Sequence, residues 1–323
     1  MSLTLDDILA SHRTRTPVVM GILNVTPDSF SDGGEFFDPA AAAGQARRMA
    51  DEGADIIDVG AESTRPGSRR VTAGEQIRRL RKALPAAVAS GAVVSIDTTL
   101  SAVARFALDE GAAIINDVSA GRDDPAMLDL AVERGVPIVL MHMLGEPKDM
   151  QVEPRYDNVV AEVRAFLAGR AAAAEAAGVP RERIIVDPGI GFGKRLEHNL
   201  ALLAGVGELV SLGYGVLVGP SRKGFIGTLT GQDDPHSRTA GTIAACLAAW
   251  SRGATMFRVH DVGPLRQALA VAAAIDRAKR RSKESLAQRA QRAQRRQQVV
   301  PVRRQPSSSS SFSSSSSVFP VPV

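Results

Sequence analysis

The 323-residue sequence predicts a (β/α)8 barrel with a low-complexity tail behind it. Three observations carry that prediction. A short β-branched run, a loop and an Ala-rich amphipathic stretch recur eight times between residues 17 and 280. Glycines close the helical stretches at Gly53, Gly91, Gly111, Gly135, Gly178, Gly213 and Gly253, where a left-handed residue turns the chain into the next strand. The first strand also lacks the glycine-rich phosphate turn of a doubly wound sheet, since Leu23 runs into Asn24-Val25-Thr26-Pro27-Asp28. Eight βα units in about 250 residues close as a barrel.

Residues 1–16 read as a polar, acidic lead-in without the apolar run of a signal peptide. Strands are expected at Val18–Leu23, Ile56–Val59, Val93–Asp97 and Ile114–Asn116, then at Ile138–Met141, Ile184–Asp187, Val216–Gly219 and Met256–Val259. Each is a short apolar run between turn residues, too short for a helix. Amphipathic helices are expected between and after them, over Pro39–Glu52, Ala73–Ser90, Ala102–Glu110 and Ala126–Arg134, and then over Asp157–Ala177, Leu196–Ser211, His236–Arg252 and Pro264–Arg280. The organisation is thus a lead-in (1–16), a barrel (17–280) and a basic, Ser-rich tail (281–323) expected to be disordered. Residues 283–297 could extend a basic helix. From Val299 onward, Pro, Arg and ten serines around Phe312 offer too little apolar area to offset ordering entropy, which reads as disorder.

Charge separates the two parts. The net charge is +4, but from Arg280 onward nine Lys/Arg face only Glu284. The body is therefore mildly acidic, which argues against a nucleic-acid-binding domain, and weak contact with nucleic acid or acidic surfaces is left to the tail. The lone cysteine, Cys246, excludes a disulfide framework and fits a cytoplasmic location; it reads as a helix core residue. No apolar run is long enough to span a membrane.

A barrel places its chemistry at the C-terminal ends of the strands. Those ends carry Asn24, Glu62 to Gly67, Asp97, Asn116-Asp117, His142, Asp187, Ser221-Arg222-Lys223, Arg258 and His260-Asp261. Any one Asp or Asn there is readily explained as a helix cap; polar groups at all eight ends are not. Asp97, Asn116, Asp187 and Lys223 combine carboxylates, an amide and an ammonium, a set suited to a heterocycle with alternating donors and acceptors. Asn24, Arg65, Arg258 and His260 suit a phosphate or pyrophosphate with a hard divalent ion. Competing motifs fail. Gly189 to Lys194 departs from a P-loop at Pro188 and Arg195, and the five histidines lack zinc-ligand spacing.

These residues lie in strings that resemble the dihydropteroate synthase family. Met20-Gly-Ile-Leu-Asn-Val-Thr-Pro-Asp-Ser-Phe-Ser-Asp-Gly-Gly34 is similar to its first signature and Asp55-Ile-Ile-Asp-Val-Gly-Ala-Glu-Ser-Thr-Arg-Pro-Gly67 to its second. The likeness continues at Ser95–Thr98, Ile115–Ser119, Met141–Met143, Asp187–Lys194, Gly219–Lys223 and Arg258–Val262, one motif per strand end. The resemblance implies a TIM-barrel transferase of folate biosynthesis that joins 6-hydroxymethyl-7,8-dihydropterin pyrophosphate to p-aminobenzoate through a cationic pterin. It implies a pterin site of Asp97, Asn116, Met141, Asp187, Gly219 and Lys223. Asn24 would be the Mg²⁺ ligand, and Asn24, Thr64, Arg65, Arg258 and His260 would hold pyrophosphate. Thr64, Arg65, Pro66, Phe192, Ser221 and Lys223 would form the p-aminobenzoate pocket, where sulfonamides compete. Asp97, Asn116, Asp187, Lys223, Arg258 and His260 are the expected catalytic set. A homodimer is implied, with Ala240–Ala249 and Ala268–Ala274 the candidate surface.

The Gly-, Ser-, Asp- and Pro-rich stretches Ser29–Gly34 and Arg65–Arg69 read as lids that would exclude water. The chain departs from the family pattern at Ala61, Thr99-Leu100, Leu144 and Gly224, none of them in the pterin or Mg²⁺ set. Two other readings compete. A methyltetrahydrofolate:corrinoid methyltransferase would share the pterin pocket but not need Ser221-Arg222-Lys223, Thr64 to Gly67 or a pyrophosphate grip. A non-catalytic pterin-binding paralogue would keep the pocket and use the tail for interaction.

Overall fold

The computed structural model describes residues 3–26, 39–63, 67, 68, 70–146 and 148–298. They fall in two compact units, one ending at Ala274 and the other beginning at Ile275. The first is the barrel. Its strands are β1 (Val18–Asn24), β2 (Ile56–Gly60), β3 (Val93–Asp97), β4 (Ile114–Asp117), β5 (Ile138–Met141), β6 (Ile184–Asp187), β7 (Gly215–Val218) and β8 (Met256–Val259). Each pairs in parallel with the next, and β8 pairs with β1 to close the ring. The expected strand positions hold to within a residue at either end.

Apolar runs form these strands because both faces are buried. Alternate residues point inward: Val18, Met20, Ile56, Ile114, Val139, Ile185, Leu217 and Met256 fill the barrel's interior. The intervening set, including Val19, Ile57, Val94, Ile115, Leu140, Val186, Val218 and Phe257, belongs to the outer core that also holds the buried faces of the helices. Those helices are α2 (Pro39–Asp51), α3 (Ala73–Ala89), α4 (Ser101–Asp109), α5 (Ala126–Arg134) and α6 (Val159–Ala177), followed by α7 (Leu196–Ala204) and α8 (Val206–Val210). Cys246 lies fully buried in α10 (Thr239–Ser251), and burial pushes its thiol pKa up, as suits a packing residue.

The structure departs from the expected elements in four places. Leu5–Thr14 is a helix, α1, where the sequence suggested only a lead-in. Thr4 and Asp7 cap it reciprocally: the Thr4 hydroxyl accepts from the Asp7 amide (3.2 Å) and the Asp7 carboxylate accepts from the Thr4 amide (3.0 Å). Its Ile8 and Leu9 are buried with the inward strand residues, which no local pattern could announce. The stretch Leu196–Ser211 is broken at Gly205, where a side chain would press on Val160 at 3.0 Å. His236–Arg252 divides into a 3-10 turn (Pro235–Arg238) and α10, and a short helix, α9 (Gly224–Thr230), follows β7.

The final helix, α11, runs from Val262 to Gln298, so residues 281–298 of the tail expected to be disordered are helical instead. The first unit takes the part of this helix up to Ala274. The expected disorder of the Ser-rich segment concerns 299–323, which lies outside the described residues, as does the first lid, Ser29–Gly34. Among the described residues no helix is long and apolar enough to cross a membrane.

Candidate active site

Strand register assembles the site before any side-chain detail. Asn24 pairs with Gly60, Gly60 with Asp97 and Asp97 with Asn116, so one row of the barrel carries three of the expected polar residues. Met141 pairs with Asp187 across β5 and β6. Gly60 keeps the row open, since a Cβ there would lie 3.4 Å from Asp97 Cβ and 3.7 Å from Asn24 Oδ1. Above the row lies a cavity of about 750 Å³. Its walls include Asn24, Asp97, Asn116, Met141, Asp187, Phe192, Gly219, Ser221, Lys223, Arg258 and His260, every expected site residue except Thr64, Arg65 and Pro66. Those three, and with them most of the second lid, lie outside the described residues.

The cavity's floor is an ion network with a member that sequence reasoning missed. Arg258 rises from a row where it pairs with Met20 and donates to two carboxylates: Nε to Asp58 Oδ2 (2.6 Å) and Nη2 to Asp97 Oδ2 (2.7 Å). Asn116 Nδ2 donates to the same Asp58 oxygen (3.0 Å), which leaves its Oδ1 to accept. Asp58 is fully buried, and its Oδ1 has no partner among the described residues. A signal for it existed. Ile56 points into the barrel, so by strand alternation Asp58 does too, and a charge facing a barrel interior needs a cation.

Burial sets the titration of the groups around this floor. Desolvation raises the Asp97 carboxyl to about 7, against the pull of Arg258 and with help from Asp58. Asp187 is raised by burial to about 6, while an amide bond from Gly189 (2.7 Å) and the charges of Lys223, Arg258 and Lys194 oppose the rise. Lys223 is lowered to about 8 by burial and by Arg258, with Asp187 and Asp97 opposing. The cavity thus holds groups poised near neutrality, a mark of sites that handle charge.

The opposite wall is built from the loops after β6, β7 and β8. Lys223 Nζ stands 3.8 Å over the ring of Phe192, a cation–π pair. Ser221 Oγ accepts from the His260 amide (3.1 Å) and lies 2.9 Å from His260 Nδ1, a second hydrogen bond that ties the ring to the β7 loop. Burial and the neighbouring Arg222 and Arg258 lower His260 to about 3, which makes it a neutral donor. Arg222, at φ 57, is turned to one side. It forks onto Asp261 (Nη2–Oδ1 2.6 Å, Nε–Oδ2 3.1 Å), and Asp261 also accepts from Thr239.

Several strand-end candidates take other roles. Asp117 lies beyond Asn116 and binds the amides of Ser119 (2.8 Å) and Gly121 (2.6 Å), a turn cap of the kind any strand-end Asp can be. Glu62 accepts from Gln76 (2.6 Å), whose Oε1 accepts from Thr98 (3.1 Å), so it braces α3 against the barrel rim. His142 is buried beside Lys194 and Phe166; burial and Lys194 lower it to about 3 and keep it neutral.

Residues 20–260 match the family model described as pterin binding enzyme. The chain belongs to the pterin-binding enzyme family. Among relatives of this pterin-binding chain, the dihydropteroate synthase of Synechocystis sp. is 46% identical over 258 residues, spanning 80% of this chain and 89% of that protein. A Xanthomonas albilineans dihydropteroate synthase structure with 4-aminobenzoic acid is similar at TM-score 0.76 and 48% identity, covering 81% of this chain and 93% of that one. A structure of the Xanthomonas albilineans enzyme in complex with 7,8-dihydropteroate matches at TM-score 0.74 and 44% identity, covering 85% and 95%.

Proposed function

We propose that this pterin-binding barrel is a dihydropteroate synthase, condensing 6-hydroxymethyl-7,8-dihydropterin pyrophosphate with p-aminobenzoate to give 7,8-dihydropteroate and pyrophosphate. One observation carries the reading. A single cavity has a buried floor of alternating acceptors and donors (Asp97, Asn116, Asp187, Arg258) and, across Lys223, a flat wall made by Phe192. A planar, guanidine-edged base suits the floor, where a carboxylate can accept two adjacent N–H groups. An aromatic amine suits the wall.

The chemistry breaks the bond between the pterin methylene and pyrophosphate, with the electron pair leaving on the phosphate oxygen. The amine lone pair of p-aminobenzoate then forms the new C–N bond, and the amine proton passes to solvent. Positive charge builds on the pterin in between, and Asp97 and Asp187 are the groups that stabilise it, since a cation above them favours their ionised forms. Arg258 and the neutral ring of His260 would receive the departing anion. Arg258 has a second duty, because Asp58 and Asp97 already anchor it to the floor.

Asn24 would hold Mg²⁺. Among the described residues no group of three His, Cys, Asp or Glu could cage a metal. A lone amide oxygen at the cavity's edge fits the ion that takes one or two protein oxygens and completes its shell with phosphate and water. When bound, the ion would offset charge on the leaving pyrophosphate. Homodimerisation through Ala240–Ala249 and Ala268–Ala274, and a cytoplasmic location, belong to the same reading.

The deciding experiment is a product assay of the purified protein with the pterin pyrophosphate, p-aminobenzoate and Mg²⁺, with Asp187→Asn and Lys223→Ala alongside. Mg²⁺-dependent dihydropteroate formation, lost in both variants, is the expected result. Pterin pyrophosphate binding without product would instead make the chain a non-catalytic pterin-binding paralogue.

A further inference from the structure

The loop after β6 is laid flat on the loop after β5. Gly189, at φ +64, has the His142 carbonyl oxygen where a Cβ would stand, and Gly193, at φ +59, has the Leu144 carbonyl oxygen there. Gly191, at φ +83, leaves room for Lys223, whose Cδ would lie 2.8 Å from an added Cβ. The loop therefore carries Phe192 between the β5 loop on one side and Lys223 on the other. Such packing brings backbone against backbone, and only glycine permits it.

Backbone proximity alone does not fix the loop. The tie is Lys194, whose side chain is almost wholly buried. Burial lowers it to about 7 against the pull of Asp187, and in its ammonium form it donates to the Phe192 carbonyl oxygen (2.8 Å), to His142 Nδ1 (3.0 Å) and to the His142 carbonyl oxygen (3.3 Å), which uses all three of its protons. Nothing in the proposed reaction calls on this lysine, and burying an ammonium is costly, so its position needs a reason. The acceptors supply one: two belong to the end of β5 and the third to the residue whose ring lies under Lys223.

We infer that Lys194 is a positioning residue for the arylamine slot: by tying the Phe192 carbonyl to His142, it holds the Phe192 ring against Lys223 before the arylamine arrives. The inference rests on the proposed synthase reading for the identity of the slot. It makes the slot preorganised, so that binding p-aminobenzoate need not order the loop. It also directs the effect of Lys194 chiefly to one substrate, since toward the pterin floor this lysine contributes only its charge, which opposes the rise of Asp187. The pterin floor is built from β2, β3, β4, β6 and β8, and none of its hydrogen bonds passes through Lys194.

The test compares Lys194→Met and Lys194→Gln with the wild type in three measurements: KM for each substrate, affinity for the pterin pyrophosphate by calorimetry, and hydrogen exchange of the peptide 188–196. The exchange reads amides that the loop now protects, Gly189 on Asp187 Oδ1, Gly191 on Asn199 Oδ1 and Phe192 on the Gly189 carbonyl. In Lys194→Met, KM for p-aminobenzoate is expected to rise about tenfold or more while pterin pyrophosphate affinity stays within about twofold. Exchange in 188–196 is expected to quicken with the rest of the barrel unchanged. Lys194→Gln, which keeps one donor for the Phe192 carbonyl, is expected to recover part of both effects.

Equal losses for the two substrates, or a fall in kcat with both KM values unchanged, would overturn the inference, because a merely structural lysine would behave that way. Unchanged exchange in 188–196 would overturn it as well, and this holds even if the wild type makes no product. Absence of product in the wild type would sink the synthase reading by itself, so the two failures are told apart.

Discussion

Replacing Asp58 with Ala tests the floor of the site at the residue that carries most of it. The side chain is fully buried, and its Oδ2 receives both Arg258 Nε at 2.6 Å and Asn116 Nδ2 at 3.0 Å. Removing one member of a buried ion pair typically costs about 3–5 kcal/mol, because the partner's charge stays behind. Here Arg258 keeps Asp97, and its side chain is 19% exposed toward the cavity, so the low end, about 3 kcal/mol, is the appropriate figure. For a domain of this size that lowers Tm by about 6–12 °C. Activity is expected to fall further than stability alone explains. A guanidinium held at one point swings, and a misplacement of about 1 Å can cost about a hundredfold. Asp58→Asn, which keeps an acceptor of the same shape, should lose less of both. The assays are calorimetric unfolding and steady-state turnover. A Tm within about 2 °C of wild type together with unchanged kcat/KM would show that Asp58 does not hold Arg258, and the account of the floor would be wrong.

Two further outcomes follow from the same geometry. Asp97 and Asp187, raised to about 7 and about 6 from an ordinary value of 3.8, keep protons in the folded barrel that the unfolded chain has already released. The folded state then binds more protons between about pH 4 and 7, so stability contributed by these groups falls as pH rises through that window. His142 and His260, lowered to about 3, and Lys223, lowered to about 8, oppose that trend, so the readout is a difference: on acidification from pH 8 to 5.5 the wild type gains stability relative to Asp97→Asn, and equal slopes would contradict the assignment. Pterin affinity runs the opposite way, weakening below about pH 7 as first Asp97 and then Asp187 takes up a proton. Gly189→Ala places a methyl on the His142 carbonyl oxygen at positive φ, costing about 2–5 kcal/mol from left-handed strain and overpacking together. A large fall in Tm is expected, and a loss of stability below about 1 kcal/mol would mean that the two loops separate freely.

The barrel was legible in the sequence because a βα unit announces itself locally. Apolar runs such as Ile138–Met141 and Ile184–Asp187 need no partner to be read as strands, and glycines mark where helices stop. The strand-end rule then gathered Asn24, Asp97, Asn116, Asp187, Lys223, Arg258 and His260, and all seven line one cavity. Local pattern was silent on α1, whose apolar residues have meaning only against the bottom of a closed barrel. It also missed the break at Gly205, where α6 leaves no room for a side chain beside Val160.

What the sequence alone determined is the order of the elements and the residue types at their ends, since both follow from periodicity and turn chemistry along the chain. Which of two neighbouring polar residues faces the cavity was decided only by tertiary structure. Asn116 joins the floor while Asp117 caps a turn, and Ser221 meets His260 while Arg222 turns to Asp261. The roles of Asp58 and Lys194 were decided there too. Each is a buried charge whose partners stand far along the chain (Arg258 for the first, His142 for the second), and no local pattern records a partner that only barrel closure brings within hydrogen-bond distance.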